Sequence, residues 1–273
     1  WFDFLHVLLP HWPWHTVGST QDTGERANPP GLVADRWSGD WAATTGREDH
    51  LLQVQATDAL LGEVMHRLQS IGAWDDATVV VTADHGVAPV PEWIKEQGFD
   101  AGRMDTAALG RAVDAVLVRE LGGGPYRTRV IYNDVYFNDG VYAQLLERRS
   151  AMNAVLDAIR TTPGVWRAYR KEDLLTTDPM TRAPALSHYD GRSGDIKVLG
   201  RAYWITSTDT TTHGTGHRYD THVPLVLFGQ GIKTGEYLDP VAPIDLAPTL
   251  AFLSGVTLPD AMGHVLSQAL LHR

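Results

Sequence analysis

The spacing of apolar residues in the first third of the chain predicts a helix followed by a strand. From about Glu48 to Ile71 the apolar positions fall at helical spacing, and Gly72 follows as a C-terminal stop. The next apolar run, Ala77–Thr82, is rich in β-branched residues, which is typical of a strand buried on both faces. It ends at a short polar turn, the place where open α/β sheets bind ligands.

The middle of the chain, about residues 89–202, predicts a smaller unit of mixed helices and strands. Its predicted elements are helices over Thr106–Leu121 and Glu147–Thr161, paired strands within 129–138 and a strand over Val165–Tyr169. We therefore expect a small α/β subdomain at residues 91–202. The rest of a single domain, residues 1–90 and 203–273, would form its core.

The last third returns to a core-like pattern. Pro224–Gly229 is an apolar run that predicts a strand, and Asp245–Leu253 has the spacing of a helix. Asp245 is the candidate N-cap of this helix, and Gly255 is its stop.

Composition narrows the function classes. The 273 residues suffice for a sizeable core. A formal net charge of −10 argues against a surface that binds nucleic acid or an anionic membrane. A phosphorylated substrate stays compatible, because a bound dication inverts the local field. The chain has no cysteine, which excludes disulfides, zinc–thiolate sites and cysteine nucleophiles. No apolar run approaches the ~20 residues that a bilayer span needs.

The chain opens on an apolar segment. Phe4–Leu9 is a short apolar run closed by Pro10, which predicts a buried strand, and the first residue is Trp1 rather than Met. We therefore expect an N-terminally truncated fragment, with any targeting segment and any further catalytic residues upstream of Trp1.

Two short polar segments carry candidate chemistry. Asp84 and His85 directly follow the predicted strand at Ala77–Thr82, and His213 lies in a Thr/Gly-rich loop. Carboxylate and imidazole ligands suit a divalent cation, and a parallel sheet would bring both loops to one edge. Two plainer interpretations stay open, a turn with a capping Asp84 and a solvated turn His213. Asp220 and His222 would orient the second loop.

Three segments resemble one branch of the alkaline phosphatase superfamily. They are VVTADHGVAPVPEWIKEQGFDAGR at residues 80–103, Arg192–Ile196, and residues 213–266 beginning HGTGHRYDTHVPL. The branch is that of the type I phosphodiesterases/nucleotide pyrophosphatases and related alkaline phosphatases, and the resemblance runs from about residue 77 onward. It implies a three-layer α/β/α core with a small inserted α/β subdomain. It also implies that Asp84 and His85 bind one metal and His213 a second.

The N-terminal segment is similar to another branch. Residues 5–14 (LHVLLPHWPW) resemble sulfatase-like members of the superfamily, in which a histidine of a PHxP motif contacts the anionic ester. That residue here is His11. A sulfatase is therefore one alternative function.

The resemblance implies a metal-dependent hydrolase of small-molecule phosphate esters, either monoesters or diesters. Zn²⁺ suits the ligands, with Mn²⁺ or Ca²⁺ as further candidates.

Nothing around Ser19, Thr44 or Thr45 resembles a nucleophile motif, and no Asp-x3-His motif occurs near residues 30–45. We therefore expect the nucleophile upstream of Trp1, with weak metal binding and little or no hydrolase activity for the chain by itself. The alternative from another class is a catalytically incomplete binding or structural module. Relatives imply an extracytoplasmic location.

Overall fold

The computed structural model describes residues 45–207 and 211–271. The helices are α1 (Thr45–Ser70), α2 (Pro91–Glu96), α3 (Thr106–Leu121), α4 (Val141–Glu147), α5 (Arg149–Arg160), α6 (Arg182–Ser187), α7 (Arg218–Thr221) and α8 (Leu246–Ser254). The strands are β1 (Thr78–Thr82), β2 (Gly102–Arg103), β3 (Arg129–Ile131), β4 (Asp134–Tyr136), β5 (Val165–Arg170), β6 (Ile196–Gly200), β7 (Trp204–Ile205) and β8 (Leu225–Gly229). Short 3₁₀ turns cover Lys171–Asp173, Pro243–Asp245 and Ser267–Ala269.

The described residues divide into two compact units. Those up to Asp84, together with those from Val223 onward, form the first unit, and His85–His222 forms the second. The expected subdomain, residues 91–202, lies within the second unit. None of the helices in the described ranges combines the length and apolarity that a membrane span needs.

The strand pair of the first unit is antiparallel. β1 pairs with β8 from Thr78↔Gly229 to Thr82↔Leu225, so the expectation of parallel pairing for these two strands is wrong. In an antiparallel pair the end of one strand lies beside the start of the other, so the exit of β1 meets the entrance of β8. The valines of β1 are half-buried rather than fully buried. Among the described residues β8 is the one strand beside β1, which leaves part of these side chains exposed.

Helix α8 of the first unit begins beside a buried carboxylate. Asp245 precedes the helix, as expected, but its carboxylate does not cap it. Instead the carboxylate accepts hydrogen bonds from the main-chain N–H groups of Ala242 and His264, each at 2.8 Å. The carboxylate therefore joins the start of the helix to a distant loop. Gly255 ends the helix in the left-handed conformation, as expected.

The second unit is built on a four-stranded antiparallel sheet in the order β3-β4-β6-β5. Helices α3 and α5 supply the apolar side chains that pack in the same core as this sheet. The largest fully buried members of this core are Leu109, Val113, Leu117, Val135, Leu145, Val155, Ile159, Ile196 and Val198. Nearly all side chains on the inner faces are aliphatic, so burial of apolar area holds the unit together.

Two helices of this unit show how local sequence sets the boundaries. Helix α3 has the predicted bounds because the Asp105 carboxylate accepts a hydrogen bond from Ala108 N at 2.7 Å and Gly122 ends the last turn with a positive φ. The helix predicted over residues 147–161 is α5, which begins two residues later than predicted. Arg148, with φ −120° and ψ 82°, separates it from α4, a helix that was not predicted.

Candidate functional site

Two segments of the second unit, residues 85–88 and 211–222, are joined by main-chain hydrogen bonds. Gly86 N donates to Asp220 O at 2.7 Å, and Ala88 N donates to Thr212 O at 3.0 Å. A Cβ atom at position 86 would collide with the carbonyl oxygen of Tyr219. Glycine is therefore needed for the two segments to approach this closely. We call this junction the neck of the second unit.

The neck brings two of the predicted ligand residues together. The imidazole rings of His85 and His213 stack with centroids 3.4 Å apart and planes 18° from parallel. His85 is half-buried and His213 is exposed. These residues are 128 positions apart in sequence, so the pairing is produced by the fold of the whole unit.

The tautomer of His85 follows from its own hydrogen bond. The Nδ1 atom of His85 lies 2.7 Å from Gly86 O. A carbonyl oxygen can only accept, so Nδ1 carries the proton and the lone pair of the neutral ring is on Nε2. Histidines that bind metals are commonly held this way, with one ring nitrogen donating to a main-chain carbonyl.

Asp84, the third predicted ligand, directly precedes His85 and is exposed. It is the last residue of the first unit before the chain enters the second. Its carboxylate and the two imidazoles are donor types that fit Zn²⁺. In residues 45–207 and 211–271, however, no three His, Asp or Glu side chains are grouped closely enough to hold one ion. His11, Ser19 and Thr44 lie outside the described residues.

A buried carboxylate orders the loop that carries His213. Asp220 is 4% exposed, and its Oδ2 atom accepts hydrogen bonds from Thr215 N at 2.7 Å and from Thr215 Oγ1 at 2.6 Å. Asp220 thus orients the loop, as the sequence predicted. Its other oxygen, Oδ1, has no hydrogen-bond partner among the described residues.

An aromatic group packs beside this loop. The ring of Tyr219 stacks on Tyr203 at 5.6 Å and lies 5.3 Å from the ring of His217. Burial raises the pKa of the Tyr219 phenol, which therefore stays protonated at neutral pH. The Tyr219 hydroxyl accepts a hydrogen bond from Tyr203 N at 3.2 Å. These contacts fix the loop between His213 and β8 by packing.

A further contact of the loop was not predicted. The side chain of Asn133, between β3 and β4, donates from Nδ2 to Gly214 O at 3.0 Å. Gly214 follows His213 and has a φ of 106°, a conformation that favours glycine. In the sequence Asn133 is an asparagine between two predicted strands, which is typical of any hairpin turn.

Comparison with known proteins identifies the family of the chain. Residues 41–223, more than half of the chain, match the family model described as type I phosphodiesterase/nucleotide pyrophosphatase. The chain belongs to this family. The predicted membership of the alkaline phosphatase superfamily is thereby confirmed, and the family match spans Asp84, His85 and His213.

The curated relatives carry two kinds of name. One, from Myroides odoratus, is named a calcium-transporting ATPase and is 25% identical over 199 residues, covering 70% of this chain and 36% of that protein. Two others are named alkaline phosphatases. Alkaline phosphatase PhoK of Sphingomonas sp is 27% identical over 250 residues, covering 84% of this chain and 44% of PhoK. Alkaline phosphatase PafA of Elizabethkingia meningoseptica is 25% identical over 199 residues, covering 70% of this chain and 36% of PafA. The chain thus spans less than half the length of each of these relatives.

Two solved structures have a fold similar to that of this chain. The structure of wild-type PafA matches with a TM-score of 0.66 at 23% identity, covering 82% of this chain and 43% of that one. Human ectonucleotide pyrophosphatase/phosphodiesterase 5 matches with a TM-score of 0.54 at 15% identity, covering 84% and 53%. The predicted α/β fold of the alkaline phosphatase type is confirmed.

Proposed function

We propose that this chain is part of a metal-dependent hydrolase of phosphate esters, acting on a monoester or a diester. The observation that carries the proposal is the stacked pair of His85 and His213 with the Nδ1 proton of His85 held by a carbonyl. Family membership and the names of PhoK and PafA support the phosphate ester as substrate. We also propose an extracytoplasmic location, on the resemblance alone.

In this proposal Asp84 and His85 hold one dication and His213 holds a second, with Zn²⁺ as the metal. A bound dication supplies positive charge to the oxygens of the phosphoryl group. The chain's own contribution is to orient the ligands. Gly86 O fixes the protonated nitrogen of His85, and the Asp220 carboxylate keeps Thr215 and its loop in place.

The threonine hydroxyls of the loop are engaged in other contacts. Thr211 Oγ1 donates to Ala88 O, and Thr215 Oγ1 donates to Asp220 Oδ2. These contacts do not identify either residue as the nucleophile. The sulfatase alternative depends on residues 5–14, which lie outside the described residues.

Zinc binding tests the ligand assignment without requiring turnover. Isothermal titration of the chain with Zn²⁺ should show affinity reduced at least 10-fold in Asp84→Ala, His85→Ala and His213→Ala, because each change removes a ligand. His66→Ala is the matched control, since His66 also has Nδ1 at 2.8 Å from a carbonyl, that of Gly62, but lies in α1. Affinity in His213→Ala equal to that of the unmodified chain would contradict the proposal.

Substrate class is tested on the zinc-loaded chain. We expect low turnover that favours p-nitrophenyl phosphate or bis-p-nitrophenyl phosphate over p-nitrophenyl sulfate and that is lost in Asp84→Ala. Faster cleavage of the sulfate ester would favour the sulfatase. Zinc binding with no turnover of any of the three esters would show that the chain binds the metal but lacks residues that turnover needs.

A further inference from the structure

The tip of the hairpin between β3 and β4 reaches the loop that carries His213. Ile131 pairs with Asp134, so Tyr132 and Asn133 form a two-residue turn. From this turn, the Asn133 side chain donates its hydrogen bond to Gly214 O at 3.0 Å. A carbonyl oxygen only accepts, so the contact requires the amide nitrogen of Asn133 to face the loop.

The turn is held firmly on the sheet. Val198 N of β6 donates to Asn133 O at 2.7 Å. The neighbouring Asp134 carboxylate lies 2.7 Å from Lys197 Nζ and accepts from Gly194 N at 3.1 Å. The main-chain carbonyl of Asn133 is thus held by β6, and the contacts of the neighbouring Asp134 hold the other end of the turn. The side chain of Asn133 therefore has a fixed position from which to bind the loop.

The neighbouring residue adopts an unfavourable conformation at the same tip. Tyr132 has a φ of 51° although it is not glycine, and its side chain is 70% exposed. A bulky residue in the left-handed region is uncommon, and burial of this side chain does not compensate for it. Strained positions of this kind persist where the surrounding structure imposes them, often at functional sites.

We propose that Asn133 is a positioning residue for His213. Its amide fixes the carbonyl of Gly214 and thereby the main chain immediately after His213, so that the imidazole is held against His85. The hydrogen bonds of the neck hold the segment on either side of this contact, since Ala88 and Gly86 donate to the carbonyls of residues 212 and 220. Asn133 binds the carbonyl of Gly214 between them. The inference rests on the proposed function, in which His213 binds a dication.

The test compares two asparagines of the same region. Asn133→Ala removes the bond to Gly214, whereas Asn138→Ala removes a bond of similar length, 2.8 Å, from Arg127 N to Asn138 Oδ1. Zn²⁺ alone is titrated into each full chain. Loss of a residue that orients a ligand costs about 10–100-fold in affinity. We expect a loss of this size in Asn133→Ala and less than about twofold in Asn138→Ala, with similar melting temperatures for both.

Two additional measurements separate positioning from simple stability. Asn133→Gln keeps an amide donor and should recover part of the zinc affinity that Asn133→Ala loses. Amide hydrogen exchange at residues 213–216 should be faster in Asn133→Ala than in the unmodified chain, while exchange in α3 and α5 stays the same. Unchanged exchange at these four residues would overturn the inference.

Zinc binding by two variants distinguishes an error in the role of Asn133 from an error in the proposed function. If His213→Ala weakens zinc binding and Asn133→Ala does not, the positioning role is wrong and the proposed function stands. If His213→Ala leaves zinc binding unchanged, the ligand assignment itself is wrong and the role of Asn133 goes with it.

Discussion

Two loop regions of the molecule each bury an aspartate, and they use it differently. Asp245, in the first unit, is 8% exposed, and its two oxygens accept one main-chain N–H each, from His264 and Ala242. Asp220, in the second unit, is 4% exposed and receives both of its donors from Thr215 on a single oxygen. The other oxygen of Asp220 has no hydrogen-bond partner among the described residues.

The difference separates a structural aspartate from one beside a candidate site. A buried carboxylate with both oxygens satisfied links two segments of chain and is explained by that link. A buried oxygen without a partner is uncommon in folded proteins and requires a separate explanation. Asp220, in α7 next to the loop that carries His213, has such an oxygen, and Asp245 does not.

The largest expected effect comes from replacing Asp245 by asparagine. One carboxylate oxygen becomes an NH₂ group that faces a main-chain N–H, so a buried donor loses its acceptor. We expect Asp245→Asn to lower the free energy of unfolding by about 2–3 kcal/mol in urea titrations. Asp239→Asn, at an exposed position, is the control. Equal urea midpoints for the two variants would contradict the structural role of Asp245.

The same residue predicts a pH dependence. The main-chain N–H groups of His264 and Ala242 hold the pKa of the Asp245 carboxyl below its usual value. Folding lowers the pKa of this carboxyl. The stabilisation is therefore fully present above the pKa that an aspartate has in the unfolded chain, about 3.9. It is lost as the pH falls through the lower folded value. Urea unfolding from pH 7 to pH 3 should therefore show the difference between the unmodified chain and Asp245→Asn shrinking below about pH 4. A difference that is independent of pH would contradict this.

The smallest effect is expected at Asp220. In Asp220→Asn the amide oxygen can keep both contacts with Thr215, while the NH₂ group replaces the oxygen that has no partner to lose. We expect a change in the free energy of unfolding of less than about 1 kcal/mol, against about 1–3 kcal/mol for Asp220→Ala. If Asp220→Asn lowers the free energy of unfolding as much as Asp245→Asn, the proposed difference between the two aspartates is wrong.

Sequence reasoning predicted those elements whose ends carry local signals. Helix α3 has its predicted bounds because Asp105 and Gly122 supply a cap and a stop. Helix α4 was not predicted, and the helix predicted over residues 147–161 begins two residues later, because no glycine or proline marks the break at Arg148. Strand pairing depends on contacts distant in sequence, so the antiparallel arrangement of β1 and β8 could not be derived from either strand alone.

The candidate site could be predicted only where residue chemistry and a strand end coincide. Asp84 and His85 directly follow β1, and His213 lies in a loop whose composition does not suit a core. Their roles as ligands stay predictions. The contribution of Asn133 could not be predicted, because its contact with Gly214 joins residues 81 positions apart and asparagine in a hairpin turn is ordinary.

The neck of the second unit also bears on how such a chain can change over generations. Gly86 N and Asp220 O are 2.7 Å apart, so this unit begins and ends at one place. Segments whose ends lie close together tolerate insertion, shortening and replacement. His85 and His213 both lie at the neck rather than in the body of the unit. The unit therefore has the geometry of an inserted domain, whose body can vary in length without separating His85 from His213.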